Sequence, residues 1–224
     1  MVSPIRLMLA SLFRGFILSV VHVFTGVGLK GPGKPLGAGK PCLYFANHTS
    51  LGDFLLIWAV MPSGLRRQVR PVAAADFWMA SGLRRFIAQD VFNALLIERA
   101  EVGAERPHAP ERQGALAMMS EALRQGDSLI FFPEGTRNTS DDCLRPFKAG
   151  LYHLAQEHPN VALVPVWLDN IRHVMPKGHR LPVPTLCTVN MGMPWRCRSA
   201  ADARRMEAFL DQAQKAVLAL RPAC

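Results

Sequence analysis

The chain has 224 residues, half of them hydrophobic, and carries a formal net charge of +9. This length supports one well-packed domain, and no change of composition along the chain requires a second. A charged fraction of 19% and a mean hydropathy of +0.12 are unusual for a freely soluble protein and typical of one that lies at a membrane surface. The basic excess favours an anionic partner, but basic residues scattered in pairs and only two tyrosines argue against nucleic acid.

The cysteines indicate a reducing compartment. The five of them form no Cys-x-x-Cys pair and have no companion histidine at zinc-ligand spacing. Their odd number weighs against a secreted disulfide framework. We therefore expect reduced thiols in the cytosol and no metal site.

The N-terminal segment, residues 5–29, is the longest apolar stretch of the chain. Its periodicity predicts a helix that is apolar around most of its circumference, with a thin polar stripe formed by Ser11, Arg14, Ser19 and His22. This pattern favours a helix in the headgroup boundary of a membrane, with the Arg14 guanidinium directed toward lipid phosphates. Two alternatives stay open at this stage: a spanning helix, and a helix packed on the domain core.

The charges that flank this helix predict its orientation. Arg6 lies at the N-terminal end of the apolar stretch, whereas three lysines follow it, Lys30, Lys34 and Lys40. If the helix spans the membrane, the positive-inside rule places the rest of the chain on the cytoplasmic face. Residues 30–41 are rich in glycine and proline and have no apolar periodicity, which predicts a linker. The chain is thus divided into a membrane-associated helix at 1–29, a linker at 30–41 and a folded domain at 42–224.

Strands and helices are predicted to alternate along residues 42–224. Apolar runs predict strands at 42–46, 68–75, 92–98, 128–133, 161–167 and, less clearly, 185–192. Helical periodicity covers residues 51–60, 76–88, 111–125, 149–157 and 200–220. This alternation predicts an α/β fold with a mostly parallel sheet flanked by helices.

A histidine and an aspartate follow the first predicted strand of the domain. His48 and Asp53 are too far apart around a continuous helix to touch, but a strand-to-helix turn would let an aspartate in the first turn reach back to the imidazole. A carboxylate that fixes the imidazole tautomer makes the histidine a candidate general base. The alternative is that Asp53 only caps the helix and His48 is a polar turn residue.

A second polar segment, Phe-Pro-Glu-Gly-Thr-Arg at residues 132–137, follows the clearest predicted strand. Gly135 permits a tight or left-handed turn, and Arg137 offers a planar fork suited to two oxygens of a phosphate. Glu134 is predicted to orient that arginine or to bind a substrate hydroxyl. The alternative is an ordinary turn with an exposed Glu-Arg pair.

Taken together, these segments resemble the glycerolipid acyltransferase family, the lysophosphatidic acid acyltransferases. Four blocks match the family in order, at residues 48–53, 96–99, 132–137 with its continuation 146–150, and 164–166. One departure is that family members often carry a Lys-Glu pair upstream of the second block, where this chain has Ala74-Ala75-Asp76. The resemblance implies that residues 42–224 form an acyltransferase domain.

The resemblance also implies the roles of individual residues. His48 and Asp53 would be catalytic, with His48 taking the proton of an acceptor hydroxyl as it attacks an acyl thioester without an acyl-enzyme. The substrates would be bound by Arg99, Glu134, Gly135, Thr136, Arg137 and Lys148. The implied partners are a membrane surface, a lysophospholipid acceptor and, as donor, acyl-CoA or acyl carrier protein, with no cofactor and no metal. Another acceptor, such as glycerol 3-phosphate or a lyso-aminolipid, and a non-catalytic lipid-binding module are the alternatives.

Overall fold

The computed structural model of the protein describes residues 3–37, 39–98, 109–140, 142–174, 183–197 and 203–222. These residues form one seven-stranded sheet, in the order β1-β7-β6-β2-β5-β3-β4. Its strands are β1 (Gly28–Lys30), β2 (Cys42–Ala46), β3 (Val69–Ala74), β4 (Leu95–Ile97), β5 (Ser128–Phe131), β6 (Ala162–Asp169) and β7 (Thr188–Met191). Strands β6, β2, β5, β3 and β4 run parallel, whereas β7 is antiparallel to β6 and carries β1 at its outer edge. The predicted mostly parallel sheet is therefore confirmed.

Helices cover both faces of the sheet, which explains why the central strands are apolar throughout. The helices are α1 (Pro4–Thr25), α2 (Asp53–Val60), α3 (Ala75–Trp78), α4 (Gly82–Phe86), α5 (Ala109–Arg124), α6 (Gly150–Glu157), α7 (Ile171–Val174) and α8 (Ala203–Leu218). Helix α4 continues into a π-helical turn at Ile87–Val91. One core lies between the sheet and α1, α2 and the π-helical turn; the other lies between the sheet and α5, α6 and α8. All five residues of β2 are buried, as expected for a strand with helices on both sides.

Several predicted boundaries move because of local backbone chemistry. The N-terminal helix ends at Thr25 and not at residue 29, because Gly26 adopts a left-handed conformation with φ 48° and its N–H caps the carbonyl of His22. The following residues then form β1 inside the predicted helix and linker, paired with β7. The predicted strand at 128–133 ends at Phe131, and the short helix α7 has no counterpart in the sequence prediction.

Helix α1 packs on the domain through a charged residue. The Nε and Nη2 atoms of Arg14 donate to the carbonyl oxygens of Val91 and Asp90, each at 2.8 Å, and Arg6 pairs with the Asp90 carboxylate at 2.7 Å. Carbonyl groups at the end of a helical turn lack backbone N–H donors, and here the Arg14 guanidinium takes the place of those donors. The prediction that Arg14 reaches toward lipid phosphates is wrong, because its guanidinium caps the π-helical turn.

The opposite side of α1 is apolar and exposed. By length and composition alone, α1 is the one helix of the described residues that is able to cross a membrane, and 11% of its most apolar window is buried. The exposed side chains on this side form an apolar stripe, defined as Ile5, Met8, Leu9, Leu12, Phe16 and Val23. Helix α1 thus has one face against the domain and one apolar face open to the surroundings.

Replacing Arg14 should destabilise the fold more than replacing Arg6. Arg14→Met keeps an apolar stem but leaves two partly buried carbonyl groups without donors, which should lower the free energy of unfolding by about 1–3 kcal/mol. Arg6→Met removes an exposed ion pair and should cost about 0–1 kcal/mol. Urea unfolding of both variants in one detergent measures the difference. Equal losses would show that the Arg14 contacts do not hold α1 on the domain.

Candidate active site

The candidate site lies where adjacent parallel strands end. Asn47 and His48 follow β2, residues 132–137 follow β5, and β3 runs directly into α3. Because β2, β5 and β3 are neighbours and parallel, their carboxyl ends lie at one edge of the sheet. Open α/β sheets bind their ligands at this edge.

The turn between β2 and α2 brings His48 and Asp53 into contact. Asp53 is the first residue of α2 and is fully buried, and its Oδ2 atom lies 2.8 Å from His48 Nδ1. The same oxygen accepts the backbone N–H groups of Thr49 at 2.6 Å and Ser50 at 2.9 Å. Because a carboxylate oxygen accepts, Nδ1 of His48 carries the proton and Nε2 is left with a lone pair. The strand-to-helix turn predicted from the sequence therefore produces the expected histidine-aspartate pair.

The loop after β5, residues 132–138, also fixes the backbone and the ring of His48. Its N–H donates to Glu134 Oε1 at 2.7 Å, and its carbonyl accepts the N–H of Asn138 at 2.6 Å. Its ring stacks on Phe132 with centroids 4.3 Å apart and an interplanar angle of 18°. The loop after β5 thus holds the whole of His48 in place.

Glu134 has a different position from the one predicted. The residue is buried, and its second oxygen accepts the N–H of Arg145 at 3.0 Å. Burial raises the pKa of this carboxyl, while the N–H groups of His48 and Arg145 act in the opposite direction. Backbone N–H groups bond to both oxygens, and through them Glu134 positions His48. That Glu134 also binds a substrate hydroxyl stays a prediction.

The remaining predicted substrate-binding residues lie at the surface. Gly135 has φ +70°, and an added Cβ would lie 2.7 Å from Lys148 Nζ, so the lysine side chain covers this glycine. Arg137 and Thr136 are exposed, and Arg137 lines the cavity described below whereas Thr136 does not. The predicted Arg99 lies outside the described residues.

A cavity of about 450 Å³ opens beside His48. Its polar lining includes His48, Asp76, Arg84 and Arg137. The rest is mostly apolar, with Leu51, Phe54, Val72, Phe77, Trp78, Ile97, Phe131 and Phe132. A concave apolar site with few convergent polar groups is the usual form of a small-molecule or lipid site. The arrangement places an apolar wall next to the His48 ring and the guanidinium-bearing residues Arg84 and Arg137.

Sequence reasoning missed several residues that build this site. The side chain of Asn47 bonds both the N–H and the carbonyl of Leu168, at 2.7 and 3.0 Å, and so ties the end of β2 to β6. Asn138 is buried and connects the loop after β5 to His48. An asparagine next to a motif at a strand end was the available signal for both. Nothing in the sequence pointed to Arg84.

Comparison with known proteins agrees with this geometry. The chain matches the family model described as Acyltransferase over residues 32–169, more than half of its length. The protein belongs to this acyltransferase family. The match covers His48, Asp53 and the loop after β5 together.

Curated relatives extend the comparison. The chain is 27% identical over 160 residues to a 1-acyl-sn-glycerol-3-phosphate acyltransferase of Saccharomyces cerevisiae, covering 67% of this chain and 46% of the relative. It is 30% identical over 156 residues to a lyso-ornithine lipid O-acyltransferase of Brucella abortus, covering 67% of this chain and 51% of the relative. The chain thus spans about half the length of these curated relatives.

A solved structure shares the fold. The crystal structure of the 1-acyl-sn-glycerophosphate (LPA) acyltransferase PlsC from Thermotoga maritima superposes with a TM-score of 0.64 at 20% identity. The superposition covers 94% of this chain and 83% of that chain. At this identity the likeness supports the fold of the acyltransferase and nothing finer.

Replacing Glu134 should impair the chemical step more than substrate binding. In Glu134→Gln an amide NH2 would face one of the two backbone N–H groups, leaving a buried donor unpaired at a cost of about 1–3 kcal/mol in stability. We expect kcat to fall about tenfold or more while the acceptor KM changes little, because Glu134 does not line the cavity. Glu207→Gln, at an exposed position of α8, is the matched control. A large rise in KM with unchanged kcat would instead show direct contact with substrate.

Proposed function

We propose that the protein transfers a fatty acyl group from an acyl thioester to the free hydroxyl of 1-acyl-glycerol-3-phosphate, giving phosphatidic acid. The observation that carries this proposal is the contact between His48 Nδ1 and Asp53 Oδ2 at 2.8 Å, beside an apolar cavity that also contains Arg137. The 1-acyl-sn-glycerol-3-phosphate acyltransferases among the relatives support the acceptor.

The proposed reaction needs one base. His48 Nε2 removes the proton of the acceptor hydroxyl as that oxygen attacks the thioester carbonyl, and Asp53 stabilises the resulting imidazolium. When the tetrahedral intermediate collapses, the carbon–sulfur bond breaks and the thiolate takes the proton from His48. The acyl group therefore passes directly from sulfur to oxygen, without an acyl-enzyme, cofactor or metal.

The acceptor is held by its phosphate. Arg137 lines the cavity with His48, and among the described residues no carboxylate lies within ion-pair distance of it. Lys148 covers Gly135, two residues before Arg137, and adds a second positive charge at the surface. We propose the same role for Arg99, in keeping with the family resemblance. Fixing the phosphate positions the hydroxyl for attack, and this positioning lowers the barrier.

A second acceptor class is favoured by one relative. The similarity to a lyso-ornithine lipid O-acyltransferase, together with Ala74 and Ala75 where the family often has a lysine, makes a lyso-aminolipid the second candidate. The deciding experiment incubates the purified protein with lyso-lipids of both classes and glycerol 3-phosphate, each with acyl-CoA and acyl carrier protein. Mass spectrometry of the lipids identifies the product. Phosphatidic acid as main product supports the proposal, an acylated aminolipid selects the second candidate, and no product with any pair leaves a non-catalytic lipid-binding module.

The reaction takes place at a membrane. The apolar stripe of α1 offers a surface for the acyl region of a bilayer, and the net charge of +9 attracts anionic headgroups. We propose that the catalytic domain faces the cytoplasm, where the cysteines of the described residues, all of them free, stay reduced. We propose that α1 is monotopic, which means that one of its faces packs on the domain while the apolar stripe lies in one leaflet of the bilayer.

Variants of the histidine-aspartate pair should differ in a graded way. His48→Ala should reduce acyl transfer at least about a hundredfold, the low end for loss of a positioned general base. Asp53→Asn should cost less, because the N–H groups of Thr49 and Ser50 select the amide oxygen for the Oδ2 position and so keep the His48 tautomer. Only the negative charge opposite the imidazolium is then lost.

Turnover of both variants is compared with that of His153→Ala, an exposed histidine on α6. Near-normal turnover of His48→Ala would remove the mechanism. An Asp53→Asn rate as low as that of His48→Ala would mean that the amide has turned and fixed the wrong tautomer.

Charges placed on the apolar stripe should release the protein from membranes. Leu12 and Phe16 are 64% and 65% exposed, so Leu12→Glu with Phe16→Glu should weaken binding to vesicles of phosphatidylcholine and phosphatidylglycerol at least about a hundredfold. The control is Ala208→Glu with Gln212→Glu, which places the same charge at exposed positions of α8, on the opposite face of the sheet from α1. Vesicle sedimentation measures binding. Equal release of both variants, or complete release by high salt, would show that charge and not the stripe is the main anchor.

A further inference from the structure

Arg84 is a second cationic residue of the cavity. It lies on α4, and its side chain lines the same cavity as His48 and Arg137. The guanidinium carbon stands 4.4 Å from the centroid of the Phe77 ring, and Nη1 donates to the Phe77 carbonyl at 3.4 Å. Phe77 is itself part of the cavity wall. An arginine stacked on an aromatic ring keeps its guanidinium in one orientation before a ligand binds, which reduces the side-chain entropy lost on binding.

No carboxylate among the described residues pairs with Arg84. Of the other arginines, Arg6, Arg70 and Arg124 each pair with a carboxylate at 2.7–3.0 Å. Within the described ranges Arg84 has no such partner, and its only side-chain hydrogen bond goes to one carbonyl. Most of the N–H donors of its guanidinium therefore remain available to a ligand.

The junction between β3 and α3, which also contributes to the cavity lining, has no basic residue at positions 74–76. Strand β3 ends at Ala74 and α3 begins at Ala75, so this junction presents small apolar side chains. Ala74 and Asp76 both line the cavity, and Asp76 takes part in an interaction of its own. The cavity lining therefore contains two arginines, Arg84 and Arg137, and one carboxylate, Asp76. Arg84 adds a positive charge that the junction of β3 and α3 does not provide.

We propose that Arg84 binds a phosphate group of the bound substrate and is, with Arg137, a specificity-determining residue of this acyltransferase. The inference rests on the proposed function, because it assigns the substrate class of the same cavity. The shared chemistry is a phosphate oxyanion, which a guanidinium binds through paired N–H donors. Two molecules of the reaction can bring it: the acceptor, through its headgroup, and acyl-CoA, through its nucleotide.

Arg85 provides a matched control. It is the next residue of α4, carries the same charge, is exposed like Arg84, and does not line the cavity. Arg84→Ala should raise the KM of the phosphate-bearing substrate about tenfold to a hundredfold, with kcat changed less than about threefold, because the contact exists before and during the reaction. Arg84→Lys should retain part of the affinity, and Arg85→Ala should leave both constants unchanged.

Two donors distinguish the source of the phosphate. Steady-state constants are measured for 1-acyl-glycerol-3-phosphate with acyl-CoA and with acyl-pantetheine, which lacks the nucleotide. A rise in the acceptor KM with both donors assigns Arg84 to the acceptor. A rise confined to the KM of acyl-CoA assigns it to the donor. Unchanged constants for both substrates, or an equal effect of Arg85→Ala, would overturn the proposal.

A binding experiment separates this inference from the proposed function. Calorimetry compares 1-acyl-glycerol-3-phosphate with a monoacylglycerol of the same chain length, and acyl-CoA with acyl-pantetheine, on the wild-type protein, Arg84→Ala and Arg85→Ala. The wild type should prefer a phosphate-bearing molecule, and Arg84→Ala alone should lose that preference about tenfold or more. Retention of the preference in Arg84→Ala overturns the role of Arg84, even if acyl transfer is observed. A wild type that shows the preference but transfers no acyl group would overturn the proposed function and leave the Arg84 site standing.

Discussion

The site depends on one buried oxygen, Asp53 Oδ2, which accepts three hydrogen bonds. Two come from the backbone of Thr49 and Ser50 and one from the imidazole of His48. The backbone bonds fix the turn from β2 into α2, and the same oxygen then fixes the ring that the turn presents. Because one atom does both, the fold of this corner and the orientation of the candidate base form together, and neither is obtained without the other.

Helix α1 is connected to this corner by direct packing. Arg14 holds α1 on the π-helical turn, and Phe92 directly after that turn packs edge-to-face on Phe54 and Trp58, with ring centroids 5.1 and 5.0 Å apart. Phe54 belongs to the cavity wall. A continuous set of contacts thus runs from α1 to the cavity, so the apolar stripe of α1 is fixed relative to the cavity beside His48.

Local patterns predicted much of the fold and the site. The order of strands and helices, and the contact between His48 and Asp53, follow from residues close together in sequence, where periodicity and capping determine structure. The features that were missed depend on distant partners. Strand β1 has three residues and exists because it pairs with β7, far along the chain. Arg14 bonds to backbone carbonyl groups, and Glu134 bonds to backbone N–H groups. Because every residue type other than proline carries both groups, the sequence does not indicate which residues will be the partners.

At the site the acidic residues Asp53 and Glu134 are buried, whereas the basic residues Arg84 and Arg137 are exposed, and the two groups have different roles. The carboxylates of Asp53 and Glu134 are buried, and backbone N–H groups bond to both of them. A buried carboxylate that is hydrogen-bonded in this way shapes the backbone. Arg84 and Arg137, by contrast, are exposed, line the cavity and have no carboxylate partner among the described residues. The buried acids therefore set the position of His48, while the exposed arginines give the cavity lining more positive than negative charge, which is what the proposed phosphate-bearing substrate requires.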